Sequence, residues 1–370
     1  MREPERSPAP QDALRPAFRS KREGALFVLV IVLLLALPFV PKRFFVSQQD
    51  IYRTLPPLNG SWDYFWSEVI PDPAPIDVLF LGDSTIARSI DPNTVRRALS
   101  ASGSREPSVF AFSHSAFGYD FDYVFMKALL ERKKVKRLVL HAEPRIREAK
   151  FWGWIYTLWD LSEHADVLWG LSPSWRFVIY AQAIRALPNH VLMLLRDQAR
   201  YPSLEQEKAR LTGDPNSRHE LYRRYKGAKI QGGDPAMLAP GSAVAPEDVL
   251  LNRAHLPEWV KPESKLSPYQ NHFFDALLRL AQRHGVEVVL LHTPVAWDPR
   301  REIPMREIAP DSIGYDLPII APSLEQLFPG TDHALFFDPD GRHMTAVGAA
   351  RFTQVMTQAL VRLYEKVEDK

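Results

Sequence analysis

The chain has 370 residues, 46 Lys/Arg against 44 Asp/Glu, 46% hydrophobic and 24% charged residues, and no cysteine. A formal net charge of only +2 offers nucleic acid no general attraction, and no nucleic-acid motif is present. Missing thiols exclude cysteine nucleophiles, Cys-ligated zinc and disulfides, while the length and apolar content suffice for one large domain with an insertion.

Residues 1–24 are rich in Pro and Arg and read as a tail without a packed core. Ala25–Val40 follows as an uncharged apolar run. At about 1.5 Å per residue it spans roughly 24–27 Å, at the short end for a bilayer. No polar face interrupts it and no small-x-small cleavage site follows it. It therefore reads as a retained transmembrane anchor over residues 25–41 rather than a cleaved signal or a core helix. Arg15, Arg19, Lys21 and Arg22 precede the run and only Lys42 and Arg43 follow closely. That asymmetry predicts a single pass with a cytoplasmic N-terminus and the bulk of the chain outside the cytoplasm.

Residues 42–70 read as a juxtamembrane connector whose aromatics (Phe44, Phe45, Trp62, Tyr64, Phe65, Trp66) suit either the lipid interface or the domain surface. From residue 71 to 370 short apolar runs alternate with amphipathic helices. Ile76–Leu81, Val109–Phe112, Leu138–His141 and Val286–Leu291 read as strands. Helices are expected from the Asp91-Pro92 start, over Tyr119–Lys133, over Tyr269–His284 with Gly285 ending it, and over about Ala346–Lys366. Such alternation predicts a parallel α/β sheet with helices on both faces and a site at the carboxyl ends of its strands. Residues 151–266 break the rhythm, Trp-rich first and polar later, and read as an insertion, helical in its first part.

Gly82-Asp83-Ser84 stands at such a strand end, and Asp340-Gly341-Arg342-His343 precedes the last helix. A serine hydroxyl needs a base to remove its proton, and the base needs a carboxylate to orient it. Ser84 is the expected nucleophile, His343 the base and Asp340 the orienting acid, its three-residue spacing favouring it over Asp338. Asp83 either lines the pocket or holds the loop through its own backbone hydrogen bonds. Ser113 and His114 are further candidate pocket residues at a strand end. No pair of histidines has His-x-x-x-His spacing, so neither metal nor other cofactor is expected.

The block Phe80-Leu81-Gly82-Asp83-Ser84, paired with Asp340-x-x-His343 and a Gly-containing helix, resembles the SGNH (GDSL-like) hydrolase superfamily. The segment ending in Phe112-Ser113-His114-Ser115-Ala116-Phe117-Gly118 is similar to its second block. The resemblance implies a three-layer, flavodoxin-like SGNH-type fold over about 71–150 and 267–365. It also implies an oxyanion hole using the backbone N–H groups of Ser84 and Gly118. Where the family's third block offers an Asn, this chain reads Leu140-His141-Ala142-Glu143. Loss of one oxyanion donor costs about 10²–10³ in rate, which suits a slow, dedicated transferase better than a fast esterase.

The anchor, SGNH-like domain and insertion together resemble bacterial cell-surface acylation proteins, the alginate O-acetylation and teichoic acid D-alanyl transfer proteins among them. That resemblance implies an inner-membrane protein with a periplasmic domain, partnered by a membrane-bound O-acyltransferase and acting on an envelope polysaccharide or other polymer. Three functions fit: acetyl transfer to a polysaccharide hydroxyl, esterase or deacetylase action with water as acceptor, and a catalytically silent scaffold for the acyltransferase complex.

Overall fold

The structure is a computed structural model that describes residues 18, 20–36, 69–102, 106–113, 118–142, 172–174, 177, 181, 244–251, 268–296, 317–331, 333–338, 341 and 343–368. Most of the expected connector, most of the expected insertion, His114 and Asp340 lie outside the described residues.

The N-terminal helix, α1, runs Lys21–Ala36 over 16 residues. Ser20 starts it early, its hydroxyl accepting the Glu23 N–H at 3.1 Å, which draws Lys21, Arg22 and Glu23 into the first turn. Among the described residues no helix is long and apolar enough to cross a membrane. The described helix is about 24 Å long, and residues 37–41 lie outside the described set. Leu26, Phe27, Val28, Leu29, Val30, Ile31, Val32 and Leu33 are all exposed along it.

The domain is α/β. Among the described residues six strands form its sheet: β1 (Ile76–Gly82), β2 (Val109–Ser113), β3 (Val135–His141), β4 (Leu250–Leu251), β5 (Glu287–Leu291) and β6 (Ile319–Ile320). They lie in the order β2-β1-β3-β5-β6-β4. Every pairing is parallel except β4 with β6. The antiparallel β4 and the short helix before it, α5 (Pro246–Val249), fall inside the stretch expected as an insertion, so the end of that stretch completes the sheet edge. Two-residue strands carry no periodic signal, and neither β4 nor β6 was expected.

β1 is buried along its whole length, as a central parallel strand covered on both faces must be. Its side chains alternate between two cores. Leu79 and Leu81, with Leu138 and Leu140 of β3, face α4 (Tyr119–Leu130) and α6 (Pro268–Arg283). Val78 and Phe80, with Val139, face α2 (Ser84–Ser89), α3 (Pro92–Ser102) and α8 (Ala346–Glu368). Between β6 and α8 lie α7 (Leu324–Leu327), closed by a Ser323/Gln326 capping box, and a 3₁₀ turn, His333–Phe336.

Helix boundaries follow local chemistry. Asp91 caps α3 by accepting the Asn93 N–H at 3.1 Å and the Thr94 hydroxyl at 2.7 Å, with Pro92 preorganised at the first helical position. Gly285 ends the α6 turn in the left-handed region at φ 64°, open to glycine without steric cost.

Candidate active site

The carboxyl edge of the sheet is assembled by register. Gly82 pairs with Ser113, Leu81 with Leu140 and His141 with Leu291. The ends of β1, β2, β3 and β5 therefore lie level, with Gly82 beside His141. A Cβ built on Gly82 would lie 2.8 Å from Ile86 Cγ1 and overlap the His141 Cβ. Glycine is needed here for close approach rather than for its dihedral freedom. Gly82→Ala is expected to lower unfolding stability by about 2 kcal/mol through overpacking, measured by chemical denaturation of the full chain in micelles.

After Gly82 the chain turns at once into α2. Asp83 is extended (φ −86°, ψ −164°) and caps the helix, its Oδ1 accepting the Thr85 N–H at 2.8 Å. Asp83 is 3% exposed. Of its two expected roles the carboxylate thus performs the loop-holding one, turned inward under the loop. Ser84 occupies the first position of α2 and is half-buried.

The expected base arrives from far along the sequence. Ser84 Oγ lies 2.9 Å from His343 Nε2, within hydrogen-bond reach for proton transfer. His343 is held by a tight turn. The Gly341 N–H donates to the Asp338 carbonyl at 2.8 Å, the Asp338 N–H to the His343 carbonyl at 2.7 Å, and Phe337 bridges Met344. Gly341 takes φ 65°, which the reversal requires and which other residues adopt at a cost. Asp338, weighed against Asp340 as the orienting acid, pairs instead with the Arg88 guanidinium of α2. That ion pair ties the histidine turn to the helix that carries the serine.

Gly118, the expected second oxyanion donor, is buried and precedes α4 with φ 142°, ψ 145°, a conformation nearly confined to glycine. A Cβ there would lie 2.7 Å from Gln270 Nε2 and closer still to Asp120 Oδ1. Two residues of α6 fix this corner. Gln270 Oε1 accepts the Tyr119 N–H at 2.8 Å, and the Tyr269 hydroxyl donates to Asp120 Oδ2 at 2.9 Å. Burial pushes the Asp120 carboxyl up to about 6, against the opposing hydrogen bonds from Tyr269, the Phe121 N–H and Gln270. Ser113 ends β2 buried beside Gly82.

A histidine without an assigned role in the sequence proves central to the packing. His141 closes β3, is buried, and sets Nδ1 3.3 Å from Asp83 Oδ1 and Nε2 3.4 Å from Thr85 Oγ1. Burial alone would push the Asp83 carboxyl up, but the His141 ring and the Thr85 hydrogen bonds hold it well below the usual carboxylate range. His292, just past β5 and 5% exposed, is pulled down to about 4 by burial, with His141 adding repulsion. The available signal was positional: both histidines end apolar strands at the edge where Ser84 stands.

Among the described residues no group of three or more His, Asp or Glu is arranged to hold a metal ion. No family model, no curated protein and no solved structure matches this chain.

Proposed function

We propose that this chain is a serine-dependent acyl-transfer enzyme with an SGNH-type, flavodoxin-like fold. The observation that carries the reading is the 2.9 Å approach of Ser84 Oγ to His343 Nε2 at the carboxyl edge of a mainly parallel sheet. In the proposed reaction Ser84 Oγ attacks an acyl carbonyl while His343 Nε2 takes its proton. The tetrahedral oxyanion is stabilised by the backbone N–H groups of Ser84 and Gly118. Collapse expels the donor's leaving group, which receives the proton from His343. The acceptor hydroxyl then gives its proton to His343 and attacks the acyl-serine, and Ser84 Oγ leaves, taking that proton back from His343. Asp340 is the proposed orienting acid for His343 Nδ1.

The proposed setting is the outer face of a bacterial inner membrane. The exposed apolar side chains of α1 would enter the bilayer with the N-terminus cytoplasmic. The proposed acyl group is acetyl, the proposed acceptor an envelope polysaccharide hydroxyl, and the proposed donor-side partner a membrane-bound O-acyltransferase.

The test is turnover of a fluorogenic acetyl ester by the full chain in detergent micelles, with and without an acceptor oligosaccharide, followed by product analysis. Acetylated oligosaccharide supports transfer. Acetate alone assigns water as the acceptor. No turnover, with polymer acetylation retained in cells carrying Ser84→Ala, would leave the scaffold reading.

Arg88 offers a finer check. Its pairing with Asp338 holds the two halves of the proposed pair in register, and misplacement by an ångström costs up to about 10²-fold in rate. Arg88→Met is expected to lower kcat about 10-fold while KM stays near wild type, as read from ester kinetics.

A further inference from the structure

The group His141, Asp83 and Thr85 lies directly beneath the loop that carries Ser84, and its hydrogen bonds constrain where the protons are. Asp83 Oδ1 faces three donors: the Thr85 N–H at 2.8 Å, the Thr85 hydroxyl, and His141 Nδ1 at 3.3 Å. A carboxylate that accepts in this way is ionised. The Thr85 hydroxyl has a single proton and gives it to Asp83. Towards His141 Nε2, 3.4 Å away, Thr85 Oγ1 can therefore only accept. Both ring nitrogens of His141 then face acceptors, and an imidazole whose two nitrogens both donate carries a positive charge.

We infer that His141 is a buried imidazolium, paired with Asp83, that acts as a positioning residue for Ser84. The inference rests on the reading of Ser84 as nucleophile only for its second half. The ion pair stands on the hydrogen bonds alone.

Physical consistency comes from three sides. A buried carboxylate is tolerated when it is paired and hydrogen-bonded, and Asp83 is 3% exposed. Gly82 leaves its side-chain space to the His141 Cβ, so the ring is seated against the residue two before Ser84. Groups that face His141 include Asp83 and Thr85 from the start of α2 and His292 from the end of β5. His292 is itself held towards the neutral form by burial and by repulsion from His141. One cation and one anion are thereby balanced beneath the serine. Asp83 Oδ1 holds both the first turn of α2 and the imidazolium, so the direction of Ser84 Oγ is set by the same oxygen that holds β3.

The experiment is nitrogen-15 NMR of the full chain in detergent micelles with labelled histidine. His141 resonances are assigned by their loss in His141→Gln. Expected are two protonated ring nitrogens on His141 at neutral pH. Asp83→Asn is expected to convert the ring to a neutral form at neutral pH. A neutral wild-type His141, with Thr85 donating to Nε2, overturns the ion pair.

The positioning half is read by the rate at which a fluorophosphonate labels Ser84. In His141→Gln labelling is expected to fall about 10–100-fold at unchanged probe affinity, and wild-type labelling kinetics in that variant would overturn it. Wild-type protein that fails to label would instead sink the acyl-transfer reading and leave the NMR result to decide the ion pair. Should His141→Gln not fold, wild type against Asp83→Asn, with the His141 signals identified by their change, still decides it.

Discussion

On the acyl-transfer reading, Ser84→Ala in the full chain is expected to lower turnover of a fluorogenic acetyl ester by about 10⁴-fold or more. His343→Ala should fall nearly as far, and the double variant no further than the worse single change. Non-additivity is the informative part. The hydroxyl and the imidazole, 2.9 Å apart, act as one unit, so removing either removes both contributions. Fluorophosphonate labelling should vanish in Ser84→Ala and become very slow in His343→Ala. Retained turnover in both variants, with clean folding by circular dichroism, would be fatal to the reading.

A second large effect concerns stability and pH. Asp120 is buried with its carboxyl pushed up to about 6 from an ordinary value of 3.8. The native state therefore holds a proton between those values that the unfolded chain has released, and stability falls as pH rises across that window. Above it the buried anion costs about 3 kcal/mol. His292 works in the opposite direction. With its value pulled down to about 4 from 6.5, the native state stays neutral where the unfolded chain binds a proton. That contribution is present above 6.5 and is lost as pH falls towards about 4. The two offset each other across most of the shared range, so the wild-type profile should be shallow there. Asp120→Asn unmasks them. It keeps a group able to bond to the Tyr269 hydroxyl but carries no charge. Its expected gain is about 2–3 kcal/mol at pH 8 and close to nothing at pH 4, by urea denaturation at both. Equal effects at the two pH values would refute the assignment of a buried anion. Asp83, held below the usual carboxylate range, adds acid lability only below that window.

Much of the sheet was legible because central parallel strands are continuous apolar runs. Ile76–Leu81 was expected and β1 extends it by one residue, to Gly82. The Ser84 and His343 motifs were legible from their flanks: Gly-Asp-Ser closing a buried strand, and a glycine turn before an amphipathic helix. Three features were not. β4 and β6 have two residues each, too short for any period to register. The Arg88–Asp338 pair joins residues 250 apart, a contact that only the packing of α2 beside the histidine turn creates. His141 acquires its place from the β1–β3 register that sets it beside Gly82, and register between distant strands is a tertiary property.

Ser84 and His343 are 259 residues apart, and this distance has a temporal meaning during synthesis. At about 5–20 residues per second, roughly 10–50 s separate the emergence of the serine from that of the histidine. Through that interval the growing chain carries the Ser84 hydroxyl without its histidine partner. The Ser84–His343 contact can thus form only after all the residues of β1 to β6 have been made. A chain cut short before residue 343 would lack the contact altogether.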